Sequence, residues 1–229
     1  MKKNLLFIMP SLSAGGGEKS LVNLLSQIDY DLFNVDLFLL NHEGIFMEFL
    51  PKEVRLISNP PSFQLFTLPL ARSIKGLLLN GKFSLAYNRM MFTIQNRKIK
   101  NSTIREQMTW KYMSRSFDKL EKEYDVAIGF LEKTSTYFCV DKVKAAKKIG
   151  WVHTDYDKLG MDPEFDKGYF QELQHIITVS EECANVMKNR FPDQKNKVEV
   201  IYNIVSPKMI NNLASVKDND IYNKKENET

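Results

Sequence analysis

At roughly 100–200 residues per domain, a chain of 229 residues holds one large hydrophobic core or two small ones. With 43% hydrophobic and 26% charged residues, its composition excludes a disordered or fibrous chain and predicts a globular one. The net charge of +4 is too mild to argue for nucleic acid, and no run approaches the ~20 apolar residues of a membrane-spanning helix.

The first element is an unbroken apolar run, Leu5 to Met9, bounded by Pro10. It reads as a strand buried on both faces. Pro10 to Gly17 predicts a glycine-rich turn, and Leu21, Leu24, Leu25 and Ile28 then mark the stripe of an amphipathic helix. Strand, glycine turn and helix together aim free N–H groups and the positive end of a helix dipole at an anion. The plain alternative is a turn with no ligand. Neither standard phosphate motif fits. G-x-G-x-x-G lacks its third glycine, and Glu18 stands where a P-loop has glycine before Lys19-Ser20.

Val35 to Leu40 predicts a second strand ending at Asn41-His42-Glu43-Gly44, Ile45 to Leu50 a short helical turn, and Val54 to Ile57 a third strand. This order opens a doubly wound, mostly parallel α/β sheet of Rossmann type. Residues 62–122 break the pattern and predict a helical insertion, interrupted at Asn80-Gly81. From Arg72 to Lys122 about twelve Lys/Arg face three acids, a local charge near +9 that leaves the rest near −5. Such a segment is either a solvated helical surface or one drawn to an anionic membrane through Arg97, Lys98 and Lys100. Phe66, Met91, Trp110 and Tyr112 are its candidate wedges. No helix-turn-helix or aromatic–basic RNA motif accompanies the charge, which argues against nucleic acid.

The sheet resumes at Tyr124 to Phe130, followed by the polar loop Leu131 to Tyr137 and a helix. Lys148 to Val152 delivers His153-Thr154-Asp155 at a strand end. His175 to Val179 is the next strand, Ser180 caps a helix to Phe191, and Val198 to Asn203 is the last strand. Residues 1–205 thus make one Rossmann-like domain, and the polar residues 206–229 a hinge and disordered tail. Cys139 and Cys183 lack Cys-x-x-Cys spacing and read as core residues in a reducing compartment. Since Lys2-Lys3 precede only five apolar residues before Pro10, no signal peptide is predicted, and the expected location is the cytoplasm, peripheral to the membrane's inner face if the basic segment binds it.

Several phrases, in this order, resemble the first half of family-four glycosyltransferases of the GT-B type. They are Pro10-Ser11-Leu12 with Gly15-Gly16-Gly17-Glu18-Lys19, Tyr124 to Phe130, Trp151-Val152-His153-Thr154-Asp155, Thr178-Val179-Ser180 and Val200-Ile201-Tyr202-Asn203. The resemblance implies a retaining enzyme that uses a nucleotide sugar as donor substrate, with no metal or other cofactor. It implies a role in cell-surface polysaccharide (capsule) or glycolipid synthesis, on a glycan or lipid-linked acceptor. His153 is the implied catalytic residue, against the plain reading of a structural histidine. Gly15, Gly16, Gly17, Glu18 and Lys19 are implied near the donor phosphates, with Lys19 assisting or merely pairing with Glu18, and Glu132 and Lys133 near the acceptor. His42 and His175 read as structural or surface residues. The family's second domain has no counterpart here, and none of its E-x(7)-E carboxylate pairs stands in a suitable place; Glu172 and Glu181 are nine apart, and Glu181 opens a helix in the first-domain position. The chain is therefore expected to be an acceptor-side half, inactive until a donor-binding domain joins it. The competing expectation is a non-catalytic subunit that brings acceptor or membrane to another transferase chain.

Overall fold

The computed structural model describes residues 1–204, so the tail expected at 206–229 lies outside the described residues. In chain order the elements are β1 (Lys3–Met9), α1 (Gly16–Leu25), β2 (Phe33–Leu39) and β3 (Arg55–Ile57), then the helices α2 (Pro61–Thr67), α3 (Leu70–Leu79), α4 (Phe83–Lys98) and α5 (Ser102–Met113). The sheet returns with β4 (Glu123–Gly129), α6 (Thr134–Lys142), β5 (Lys144–Val152), α7 (Tyr156–Leu159), α8 (Pro163–Glu172), β6 (His175–Thr178), α9 (Glu181–Arg190) and β7 (Val198–Val200). All strand pairs are parallel, in the order β3-β2-β1-β4-β5-β6-β7. The expected Rossmann-like sheet is present.

The apolar run at the start becomes the second-innermost strand because both its faces are covered. Phe7 and Met9 pack on one side with Leu21, Val22 and Leu25 of α1. Leu6 and Ile8 pack on the other with Phe63 of α2, Trp110 of α5 and Phe138 of α6. The alternation follows the two-residue period of a strand. Farther along, Val152, Ile176 and Val198 pack with Phe170 of α8 and Met187 of α9. Gly129 lets α6 sit directly on β4, since an added Cβ there would lie 2.7 Å from the Thr136 Cα.

The interruption expected at Asn80-Gly81 falls between α3 and α4, with Gly81 at φ +69°. The wedges expected for a membrane are corrected. Phe66 and Trp110 are 2% and 1% exposed, so neither reaches a surface. The reason is layering: α5 lies beneath α4 against the sheet's helices, and the Trp110 indole donates to Asp141 Oδ2 at 2.7 Å. Met91 and Tyr112 are half-buried. Phe66 instead centres a small outer core with Leu77, Leu85 and Ala86.

One buried charge ties the sheet to the end of this helical layer. Asp36 in β2 accepts from Arg55 Nε (2.9 Å) and Nη2 (2.5 Å), Lys122 Nζ (3.0 Å) and the Tyr124 hydroxyl (2.8 Å). Burial alone would raise its pKa, but the hydrogen bonds from Arg55, Tyr124 and Lys122 outweigh burial and hold it below the ordinary value.

Candidate functional site at the sheet switch point

In a doubly wound sheet, ligands bind beyond the strands' carboxyl ends, where the connections leave in opposite directions. Here that point lies between the neighbours β1 and β4. The connection from β1 enters α1 on one face, and that from β4 enters α6 on the other. Three segments meet there: the loop 10–15 after β1, the loop 130–133 after β4, and His153 just beyond β5.

The glycine turn differs from expectation in one respect. Gly16 and Gly17 are the first residues of α1 and only Gly15 is its cap, in extended backbone (φ −124°) with no side-chain cap. None of the three has positive φ. What matters is the missing Cβ. At Gly16 an added Cβ would meet nothing within 4 Å, whereas at Gly17 it would lie 2.9 Å from Leu131 Cδ2. The first intrahelical bond is Lys19 N–H to Gly15 O (3.1 Å), so the N–H groups of Gly16, Gly17 and Glu18 precede the helix's own ladder. The Glu18 carboxylate folds back over Gly15, where an added Cβ would collide with it. The group nearest the positive end of α1 is thus the helix's own anion. Lys19 is half-buried on the same turn.

A second glycine braces this loop. Leu12 N–H donates to Glu43 O (3.1 Å), Phe46 N–H to Leu12 O (3.1 Å) and Asn41 N–H to Pro10 O (2.8 Å). Gly44, at φ +128°, is pressed so close that a Cβ would collide with the Leu12 backbone. Sequence reading used Gly44 only as a strand terminator. Its role needs the β1 and β2 loops side by side.

After β4 the backbone makes a strained elbow. Lys133 sits at φ 64°, ψ −124°, the one non-glycine residue with positive φ among the described residues. Such a conformation costs an L-residue on the order of 1–2 kcal/mol. Its side chain is held away from the crevice by an ion pair with Glu106 of α5, Nζ to Oε2 at 2.7 Å. Glu106 also accepts from the Thr134 hydroxyl at 2.7 Å. The acceptor contact expected of Lys133 therefore competes with a partner that sequence reading had not paired with it. Glu132 turns the other way, is 7% exposed, and accepts the His153 backbone N–H at 3.1 Å.

His153 follows Trp151 by two residues, and Trp151 packs on the α1 side of the sheet. The imidazole lies against Phe130 (4.9 Å between centroids) and near-parallel to Trp151 (6.0 Å, 18°). Both ring nitrogens are buried, and neither makes a well-formed hydrogen bond among the described residues; the Phe130 main chain offers only a weak one. Burial pushes the pKa down to about 4, against a weaker opposing pull from the Phe130 backbone. At neutral pH the ring is uncharged, with one donor and one acceptor nitrogen to offer.

The remaining predicted residues lie elsewhere. His42 is exposed on the loop after β2. His175 opens β6 at the opposite end of the sheet, with Nδ1 2.6 Å from Glu199 Oε1. Arg97, Lys98 and Lys100 are exposed at and just beyond the end of α4. Sequence reading missed the return of the chain to α1, where the Ser20 hydroxyl donates to Asn203 Oδ1 (2.7 Å) and Asn23 Nδ2 to Ile204 O (2.9 Å). An open groove lined by Lys2, Tyr30, Asp36 and Arg55 is at the other end of the strands and shares none of these residues.

No protein-family model matches this chain, and no characterised protein matches it in sequence. Among solved structures it is similar to Anabaena HepE (Alr3699) in complex with UDP-glucose, at a TM-score of 0.47 and 13% identity. It is similar also to the same protein in complex with UDP and glucose, at 0.48 and 13%. Each comparison covers 94% of this chain and 50% of the other, so the chain spans about half the length of these structures.

Proposed function

We propose that this chain is the acceptor-side half of a retaining, nucleotide-sugar-dependent glycosyltransferase of GT-B type that builds cell-surface polysaccharide or glycolipid. The observation that carries the reading is His153, whose two buried ring nitrogens lack a well-formed partner among the described residues, at the switch point that also holds the uncapped start of α1. A buried polar group without a partner costs stability, so its retention argues for a ligand that supplies one. The opening phrases of the sequence, which resemble family-four glycosyltransferases, name the class of ligand.

In this reading the donor diphosphate sits against the N–H groups of Gly16 and Gly17, where the helix dipole favours negative charge. The open space above Gly16 is the room for the phosphate. Neutral His153 hydrogen-bonds the sugar and, through its lone pair, steadies positive charge developing at the anomeric carbon. The leaving phosphate takes the acceptor proton, so the imidazole need not be the base. Glu132 orients the His153 backbone and lines the acceptor side. A second, donor-binding domain in the same or another chain completes the nucleotide site, and the present residues alone turn over no sugar.

Binding tests the reading directly. Titration with uridine and guanosine diphosphate sugars should shift the His153 imidazole resonances in an NMR spectrum. Gly16→Val should weaken binding at least about tenfold with an unchanged melting temperature, because its side chain enters only open space. An unmoved His153 at millimolar ligand, or binding indifferent to Gly16→Val, overturns the proposal.

A further inference from the structure

The helical layer shows an apolar surface that neither the sheet nor the switch-point crevice uses. On α4, Phe83, Tyr87, Met90 and Ile94 fall at i, i+4, i+7 and i+11, one stripe of a 3.6-residue helix. That pattern ordinarily marks a buried face. Here Phe83 is 69% exposed, Tyr87 59% and Met90 46%. The buried positions of the same helix are Leu85, on the opposite side, and Ala86, at the flank of the stripe. Leu79, at the end of α3, adjoins Phe83 across the Asn80-Gly81 turn and is 77% exposed.

Along α3, α4 and the turn between them every charge is of one sign. Arg97 and Lys98 continue it at the end of α4, and Lys82 stands at its start. On the outer face of α3, Arg72 and Lys75 share one side with Leu79 at i, i+3 and i+7. From Val54 to Arg105 the chain holds nine Lys/Arg and not one Asp or Glu. An apolar stripe rimmed by cations, with no acid to repel a headgroup, matches a surface that is apolar within and anionic at its boundary. Self-pairing of two such faces would set like charges against like.

We infer that the outer face of α3 and α4 docks on an anionic lipid bilayer, with Leu79, Phe83, Tyr87 and Met90 entering the headgroup boundary and Lys82, Arg97 and Lys98 meeting lipid phosphates. This face replaces Phe66 and Trp110, which the fold buries. The inference is independent of sugar transfer and is tested without a nucleotide sugar.

Phe83→Trp places an indole on the exposed face; the native Trp110 and Trp151 are buried and serve as the internal control. With vesicles containing phosphatidylglycerol, its emission should shift to the blue and be quenched by brominated acyl chains. Vesicles of pure phosphatidylcholine should bind at least about tenfold more weakly, as should either vesicle type on Phe83→Ser/Tyr87→Ser or, for the anionic vesicles, Arg97→Glu/Lys98→Glu. Binding to anionic vesicles should also fall as salt rises. Circular dichroism on each variant shows that the fold is kept; exposed positions make this the expected result. The inference is overturned by absent quenching, by equal binding to both vesicle types, or by double variants that fold and bind as the parent does. Concentration-dependent self-association of the parent, abolished by Phe83→Ser/Tyr87→Ser, would assign the face to a second copy. Salt-sensitive capture by an acidic polypeptide with no vesicle binding would assign it to a protein partner.

Discussion

His153 links the site to stability through one proton. Its folded pKa of about 4 lies below the ordinary value near 6.5, so the fold favours the neutral ring. The associated stability is fully present above pH 6.5 and is lost as pH falls from there through 4, because the unfolded chain takes up the proton first. The shift corresponds to about 3 kcal/mol at most across that window. In His153→Gln the slope of unfolding free energy against pH between 6.5 and 4 should flatten, as followed by urea titration at several pH values. An unchanged slope means the ring is accessible to protons in the fold. At the same scale, Glu18→Gln should improve phosphate binding while costing roughly 0.3–1 kcal/mol of stability, since the carboxylate is removed from the positive end of α1. Isothermal titration with pyrophosphate and a thermal melt on one preparation measure both signs.

The connection between β4 and α6 joins two costs, positive φ at Lys133 and close backbone packing at Gly129. Lys133→Gly releases backbone strain and loses a partly exposed ion pair worth ~0–1 kcal/mol. Lys133→Ala loses the same pair and keeps the strain. The glycine variant should therefore melt higher than the alanine variant, by a difference on the order of 1 kcal/mol. That is the reverse of the order in a helix interior, and equal melting temperatures would remove the strain argument. Gly129→Ala should cost more, roughly 1–3 kcal/mol, because the Cβ meets the α6 main chain with no side chain to swing aside. Gly44→Ala should behave similarly and also disturb the loop 10–15, since the Leu12 backbone is what it strikes.

Across the whole molecule, Asp36 joins β2, β3, β4 and the end of the helical layer through a single carboxylate. Its folded pKa is depressed, so its stabilising share is present above the unfolded carboxylate value near 4 and lost as pH falls through the folded value. Asp36→Asn should lower the melting temperature at neutral pH and shrink the loss on acidification below pH 4. Equal acid sensitivity in parent and variant would mean that other carboxylates carry the acid transition. The same scale holds the contact between α5 and the elbow. Glu106 reaches Lys133 and Thr134 from the helical layer that carries the proposed lipid face. The proposed lipid face and the β4–α6 elbow are therefore linked through α4 packed on α5.

The parallel sheet, the break at Asn80-Gly81, the glycine run leading from β1 into α1 and His153 at a strand end were legible in the sequence, because each is written in local pattern. An all-apolar run such as Leu5–Met9 needs two covered faces, and a Gly or polar cluster after it must be a loop. Other features depended on partners far along the chain. Burial of Trp110 and exposure of Phe83 cannot be told apart from their local sequence, since Trp110 is flanked at helical spacing by Glu106 and Gln107 while Phe83 heads an apolar stripe, and only the stacking of α4 over α5 decides which meets water. The Lys133–Glu106 pair spans separate elements, the brace at Gly44 needs two loops brought side by side, and the lack of a well-formed partner for His153 among the described residues depends on everything that surrounds it. Sequence by itself determined the main strands and helices and their order, because those follow from short-range periodicity; it did not fix their ends, since the last strand stops at Val200 rather than Asn203, the strand before His153 begins at Lys144 rather than Lys148, and α7 and α8 were not foreseen. Tertiary structure alone decided which side chains are partnered, buried or free, because that depends on which surfaces of distant segments are brought into contact.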